Sequence, residues 1–435
     1  MKTIFFRNGM RRMVCSVALA WLASWAVHAT ELSMLHAQGT QWVRPDGQPV
    51  ALKGVNLGNW LMLEFWLMGQ RNKDLDDQCT LEATLDKRFG YAERERLLKL
   101  FRDNWMTQRD WDLIPRFGLN LVRIPFIWSL IEDEKNPRHL RPDAWHYLDE
   151  AILLAEQRGI YVVLDLHGVV GSQGLEHHSG CAGKNLYWTT PEYQERTTWL
   201  WQQIAARYKD RSAVAGYSLL NEPWGTTEAD MAAVISKLYE SVRAVDPNHV
   251  IILPGHNKGI DAYGKPAKRG MHNVAFEIHP YPGHFGWGVP GAEVHQKWLY
   301  CIPAGSGVCE WSARMRTLEA PLFIGEFQPW ANMDPELGAQ IARATYDTYA
   351  GRGWASAAWS YKLISNPGGP LPESWGLVTN AASAPIPALN FATAPLAEIE
   401  ALFQRFGSTP YAVRTEVMHW MNSAASPTPF KSLDR

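Results

Sequence analysis

Eight short apolar runs, each followed by a helix-like or loop-rich stretch, are spaced along this chain from residue 51 to residue 359. They occupy 51–56, 119–124, 160–166, 214–220, 250–253, 274–278, 322–325 and 355–359. Helical spacing of apolar residues is read between them over 91–104, 108–116, 143–158, 191–208, 228–245 and 335–352. Parallel strands cannot be joined by a tight turn, so such alternation predicts a parallel sheet with crossover helices. Eight repeats predict an α/β fold, the (β/α)8 or TIM barrel, as a single catalytic domain with elaborated βα loops. A doubly wound sheet would carry a glycine-rich turn after its first strand, and Gly54-Val55-Asn56-Leu57-Gly58 lacks the third glycine of that fingerprint. Long insertions are expected from 57 to 90, between the sixth and seventh strands, and over 365–387. A small hairpin is expected at 40–49 around Asp46-Gly47, and helices at 396–406 and 415–422.

The 435 residues, 46% of them apolar, are enough for one elaborated barrel or for two domains. The single-domain reading divides the chain into a signal peptide at 1–29, a catalytic domain at 30–410 and a C-terminal helix and tail at 411–435. Lys2, Arg7, Arg11 and Arg12 precede a short apolar run over 14–27, and Val27-His28-Ala29 offers small residues for cleavage. The expected location is therefore secreted or periplasmic, with an uncleaved anchor as the alternative. No later segment reaches the roughly 18 uninterrupted apolar residues of a membrane span. A net charge of −2 gives no electrostatic reason to expect nucleic acid or anionic lipid as partner. Cys79, Cys181, Cys301 and Cys309 remain after the leader, an even number in an oxidising compartment. Three pairings are possible; Cys79–Cys181 with Cys301–Cys309 is favoured.

Barrels place reacting groups at the C-terminal ends of their strands. Here those ends carry Asn56, Arg123, Asp165-Leu166-His167, Asn221-Glu222, His279-Pro280-Tyr281, Glu326 and Trp359. Two glutamates at two strand mouths are the pair that cleaves glycosidic bonds, if the fold brings them together. Asp165 and Glu277 lie inside their strands and are expected in packing or salt bridges. His177-His178, in a Gly/Ser loop, is read as surface or substrate rim. No His-x-His or His-Glu-x-x-His spacing suggests a metal at these ends, and no organic cofactor is expected.

Arg123 in Val-Arg-Ile-Pro, His167 after Asp-Leu, Asn221-Glu222-Pro223, His279-Pro280-Tyr281, Gly325-Glu326 and Trp359 together resemble glycoside hydrolase family 5, the cellulase-like family. The resemblance runs from about residue 51 to 359 and implies catalysis by Glu222 and Glu326 with net retention. Glu222 is the implied general acid, protonated near neutral pH, and Glu326 the implied nucleophile, kept ionised by Arg123. Arg123, His167, Asn221, His279, Tyr281 and Trp359 are the implied substrate-binding set, with Tyr281 placed to bond Glu326, Asn221 to meet the sugar 2-hydroxyl and Trp359 as the floor. Lys53-Gly54-Val55-Asn56-Leu57-Gly58-Asn59-Trp60, with Leu63-Glu64 and Gly171-Ser172-Gln173, resembles the exo-β-1,3-glucanase branch. By that resemblance Glu64 would grip a terminal glucose. The sequence departs from the branch at Asn59, Phe65 and Gly174, and the loop from 174 to 188 is rebuilt around a cysteine. The expected substrate is a β-1,3- or β-1,6-linked β-glucan, cut from its end by a monomeric hydrolase. A transglycosylase using the same site and a non-catalytic glycan-binding barrel are the alternatives.

Overall fold

The computed structural model describes residues 32–71, 77–256, 259–365 and 373–424, together with Met1 and Leu75. The rest of the leader expected at 1–29 and the last residues of the tail, 425–435, lie outside these. The barrel strands are β1 Lys53–Asn56, β2 Leu121–Ile127, β3 Tyr161–Gly168, β4 Val214–Ser218, β5 Val250–Pro254, β6 Val274–Ile278, β7 Leu322–Ile324 and β8 Ala355–Ala358. All neighbours are parallel and β8 pairs with β1, so the eight strands close on themselves. Closure leaves the barrel sheet no free edge. Gly54 is required at the β1–β2 seam, where a Cβ would meet the Leu121 carbonyl oxygen at 2.7 Å.

Side-chain alternation along the strands builds the interior in layers. Leu121, Tyr161, Val163, Ala275 and Phe323 fill the lower barrel, and Trp42 and Leu35 from an N-terminal hairpin plug its base. Two residues further along β2 and β6 the same inward direction is taken by Arg123 and Glu277, and β3 presents Asp165 and then His167. The apolar plug thus ends where the charged layer begins. Outward-facing Val55, Val122, Ile124, Val162 and Leu164 pack against the helices.

The helices α4 His146–Glu156, α5 Pro191–Tyr208, α6 Glu228–Arg243 and α9 Pro335–Gly351 lie where apolar spacing predicts them. Thr227 caps α6 by accepting from the Asp230 amide, and Asp334 caps α9. Tyr91–Trp105 and Gln108–Leu113 form α2 and α3, the second opened by a Thr107–Asp110 capping box. The C-terminal helix α10 Leu396–Ser408 packs Phe403 and Phe406 on Phe101 of α2. Helix α11 Thr415–Asn422 docks on α9, where Arg343 donates to the Trp420 carbonyl at 2.6 Å.

Several elements depart from expectation. The hairpin pairs His36–Gln38 with Gln41–Val43, and the Asp46-Gly47 turn only returns the chain to a Val43–Pro49 bridge. Helix α1 Gln78–Phe89 occupies the stretch expected as an insertion, and α7 Ala292–Leu299 and α8 Val308–Leu318 occupy the loop before β7. Helix α1 buries only Gln78, Leu81 and Leu85 and α7 only His295 and Leu299, too few apolar positions to read, whereas α8 buries Val308, Trp311, Met315 and Leu318 at helical spacing. Val378–Asn380, inside the predicted 365–387 loop, pairs with Tyr411–Val413 and ties residue 411 back to the barrel. No helix among the described residues is long and apolar enough to cross a membrane.

Candidate active site

Arg123 is fully buried at the centre of the charged layer. Its Nη1 donates to Asn56 Oδ1 at 2.9 Å and to Glu326 Oε1 at 3.0 Å, and Nη2 donates to Asn221 Oδ1 at 2.8 Å. Nη2 also lies 3.0 Å from Asp165 and 3.1 Å from Glu277. Burial works against a charged guanidinium, but Asp165, Glu277 and Glu326 outweigh it and push its pKa above the ordinary arginine value. The expectation that Asp165 and Glu277 serve salt bridges is met here.

Glu222 sits just past the end of β4, where Pro223 ends any pairing. Its φ of +39° is a left-handed backbone that a non-glycine residue adopts at a cost of order 1–3 kcal/mol. His279 Nδ1 donates to Glu222 Oε1 at 2.7 Å, and His178 Nε2 lies 3.4 Å from Oε2. Glu326, just past β7, accepts from Arg123 on Oε1 and from the Tyr281 hydroxyl on Oε2 at 2.7 Å. Single ligand atoms of Glu222, His279 and Glu326 all lie within 4.8 Å of one another.

Burial raises the pKa of Glu222, yet His178, His279 and His167 override it and hold the carboxyl at about 2. Burial, aided by the charge of Glu222, pushes Glu326 up against the pull of His279 and Arg123. Burial lowers His279, but Glu326, Glu222 and Glu277 carry it up to about 10. The resting site therefore reverses the expected order, with Glu222 ionised and Glu326 the easier carboxyl to protonate. The reason is geometric. Two imidazoles stand against Glu222, whereas the charge of Arg123 is divided among three carboxylates.

His167 Nδ1 donates to Asp165 Oδ2 at 2.7 Å, which leaves Nε2 to accept from Asn221 Nδ2 at 3.2 Å. Its ring lies nearly parallel to Trp359, centroids 5.7 Å apart and planes 14° from each other. Glu64, in the loop after β1, accepts from Trp66 Nε1 at 2.7 Å. It also faces His177 at 3.5 Å and His167 at 3.9 Å. Burial raises its pKa, but the bond from His177 and the neighbouring imidazoles bring it below the usual carboxylate range.

All nine predicted site residues thus stand in one connected cluster at the barrel mouth. His177 and His178 were expected at the rim but reach the two carboxylates Glu64 and Glu222. The signal available in sequence was their position in the loop that leaves β3 directly after His167. The Cys79–Cys181 disulfide ties that loop to the first turn of α1, and Cys301–Cys309 closes the segment between α7 and α8, the favoured pairing. Glu222, His279 and Glu326 have the proximity of metal ligands. Both nitrogens of His279, however, are engaged by carboxylates, Glu222 and Glu277, and as an imidazolium it offers no lone pair.

An eight-stranded parallel barrel with buried carboxylates over its C-terminal mouth is the setting of a glycoside-cleaving site. The chain belongs to glycosyl hydrolase family 5: residues 91–363 match the family's Cellulase domain. It is similar to a beta-xylosidase of Phanerodontia chrysosporium, 33% identical over 254 residues, which are 58% of this chain and 52% of that protein. It is similar also to a glucan 1,3-beta-glucosidase of Blumeria graminis, 30% identical over 244 residues, 53% of this chain and 55% of that one. The chain therefore spans about half the length of these relatives. In fold it resembles the rutinosidase of Aspergillus niger, with a TM-score of 0.57 and 18% identity over 73% of this chain and 91% of that one.

Proposed function

We propose that this chain is a retaining, exo-acting β-glucosidase of β-1,3- or β-1,6-linked glucans, with Glu326 as nucleophile and Glu222 as acid and base. The observation that carries the reading is the approach of a Glu222 oxygen to within 4.8 Å of a Glu326 oxygen. So close an approach of oxygens fits the short separation of carboxyl groups in retaining sites, about 5–5.5 Å, better than the gap of about 6.5–9.5 Å that admits a water in inverting ones.

In the first half-reaction a Glu326 oxygen forms the bond to the anomeric carbon as the bond to the leaving oxygen breaks. That oxygen takes a proton from Glu222. The resting proton belongs to His279, which donates it at 2.7 Å to Glu222. Glu326 is the foremost of the charges that raise His279. Once Glu326 becomes a neutral ester that support is gone, and His279 yields its proton toward Glu222 as the leaving group needs it. In the second half-reaction water gives a proton to Glu222 and attacks the anomeric carbon, releasing Glu326.

Arg123 and Tyr281 hold the two oxygens of Glu326 so that its attack follows one direction. Asn221, fixed by Arg123, faces the sugar 2-hydroxyl, and Trp359 beside His167 forms the floor. Glu64 and His177 close the far end of the pocket, which favours removal of one terminal sugar. The 33%-identical beta-xylosidase relative favours a second reading, cleavage of a β-xyloside by the same two glutamates. The same proposal takes residues 1–29 as a signal peptide and 30–410 with its C-terminal extension as one exported catalytic unit, in keeping with two disulfides.

The test is hydrolysis of β-1,3-, β-1,6- and β-1,4-glucans and of aryl β-glucoside and β-xyloside by wild type and by Glu326→Ala. Turnover of one substrate class, lost by several orders of magnitude in the variant, is expected. Binding without turnover would favour a glycan-binding barrel, and new longer oligosaccharides at high substrate a transglycosylase. Full activity of the variant would refute the site.

A further inference from the structure

The rebuilt loop after β3 places a second imidazole on Glu222. His279 holds Oε1 at 2.7 Å, and His178 Nε2 stands 3.4 Å from Oε2, on the oxygen that His279 leaves open. The His178 ring is boxed in edge-to-face contacts by His167 at 6.3 Å, His177 at 5.7 Å and Trp224 at 6.1 Å between centroids. Its backbone is fixed as firmly. Ser179 Oγ donates to the Gly174 and Glu176 carbonyls, Ser172 Oγ donates to those of Ser179 and Cys181, and the Cys79 amide donates to Gly180 O at 3.0 Å. The Cys79–Cys181 disulfide fastens the loop to α1. His178 Nδ1 is buried and finds no partner among the described residues. An orphaned buried nitrogen is costly, a cost that a loop under no other demand sheds by turning the ring outward.

We propose that His178 is a positioning residue for proton transfer. By standing on the second oxygen of Glu222 it stops the carboxyl from swinging about its contact with His279 and keeps it turned to the leaving group and the incoming water. The 3.4 Å approach of His178 Nε2 is a polar contact rather than a full hydrogen bond, so Oε2 keeps its lone pairs for the proton that passes to the leaving oxygen. The other groups that face Glu222 are Glu326 from β7, His279 from β6, His167 from β3 and Arg123 from β2. Among these described residues, His178 comes from a loop that a disulfide holds, and the others from the barrel strands or the residues just past them.

The inference rests on Glu222 being the acid, and the experiment separates the two. Wild type, Glu222→Ala, His178→Leu and His178→Gln are assayed on a dinitrophenyl glycoside, whose leaving group needs no proton, and on an alkyl glycoside, whose leaving group does. Glu222→Ala should lose activity mainly on the alkyl glycoside. His178→Leu should show the same selective loss at smaller size, about 10- to 100-fold, and His178→Gln, which keeps an N–H donor, should recover most of it. Equal losses on both substrates, or none in His178→Leu while Glu222→Ala shows the split, overturn the role of His178. Absence of the split in Glu222→Ala overturns the acid assignment, and a wild type that cleaves neither glycoside overturns both.

Discussion

A carboxylate oxygen of Glu222 and one of Glu326 lie within 4.8 Å of each other, although they leave the barrel from strands four and seven. Neither is held there by contact with the other. Glu222 is anchored by imidazoles and Glu326 by a guanidinium and a phenol, so each can be removed while its partner's contacts survive.

This separability makes the two roles distinguishable with a small external nucleophile. Glu326→Gly with azide should yield the glycosyl azide of inverted configuration, because azide enters where the glutamate stood. Glu222→Gly with azide should yield the retained anomer from an activated glycoside, because Glu326 still forms the intermediate. NMR of the products decides; the opposite stereochemistry in either variant would exchange the assignments.

Much of this was legible in sequence because the barrel's alternation is strict. Apolar runs ending in Arg123, Glu222, His279 and Glu326 locate the strands and the site in one reading, since period two turns every second residue inward. The proton's place was not legible. It depends on His178 lying 3.4 Å from Glu222 and on Arg123 being shared, and both are distances between segments remote in sequence. Helices α1 and α7 were missed for a simpler reason, since their buried apolar residues are too sparse to form a stripe, whereas Val308, Trp311, Met315 and Leu318 of α8 carry helical spacing that was there to read.

Arg123→Ala should destabilise the fold as well as abolish turnover. It would leave Asp165, Glu277 and Glu326, all buried within 3.1 Å of the lost guanidinium, without their common counter-charge. Breaking a buried ion pair from one side typically costs about 3–5 kcal/mol. Urea unfolding followed by tryptophan fluorescence measures it, and a midpoint equal to wild type would show that the cluster does not depend on this residue.

The two disulfides should differ in what they contribute. Cys79–Cys181 spans a sequence separation of 102 and Cys301–Cys309 one of 8. Loop-closure entropy gives about 4.7 kcal/mol for the first and about 2.5 kcal/mol for the second. Cys79→Ser/Cys181→Ser should therefore lower the melting temperature further than Cys301→Ser/Cys309→Ser, and lose activity through the freed His177–His178 loop. An equal activity loss in both variants would argue against a special role for that loop.

Stability should depend on pH through His279. Its pKa is raised from the ordinary 6.5 to about 10, so its contribution is complete below about 6.5 and is lost as pH rises through 10. Glu222, lowered from 4.5 to about 2, contributes above about 4.5 and loses its share as pH falls through 2, with raised Glu326 acting in the opposite sense. The melting temperature of wild type should fall from about pH 6.5 toward 10 by more than that of His279→Gln. Parallel curves for the two proteins over that window would show that His279 is not the group responsible.

Glu64 tests whether the pocket reads a chain end. Its carboxylate is buried, held below the usual carboxylate range by the neighbouring imidazoles and fixed by Trp66 Nε1 at 2.7 Å, with His177 and His167 beside it. A buried charged acceptor beside the catalytic glutamates' imidazoles suits the adjacent hydroxyls of a terminal sugar, each such bond contributing about 1.5–3 kcal/mol. Glu64→Gln keeps the volume but sets an amide N–H₂ among N–H donors, so the grip is lost while Glu222 and Glu326 keep all their contacts. KM for a short glucoside should rise about 10- to 100-fold with kcat changed far less. On an oligosaccharide labelled at its reducing end, wild type should shorten the labelled product by one sugar at a time. Internal cuts by wild type, or an unchanged KM in Glu64→Gln, would remove the argument that this loop closes the pocket.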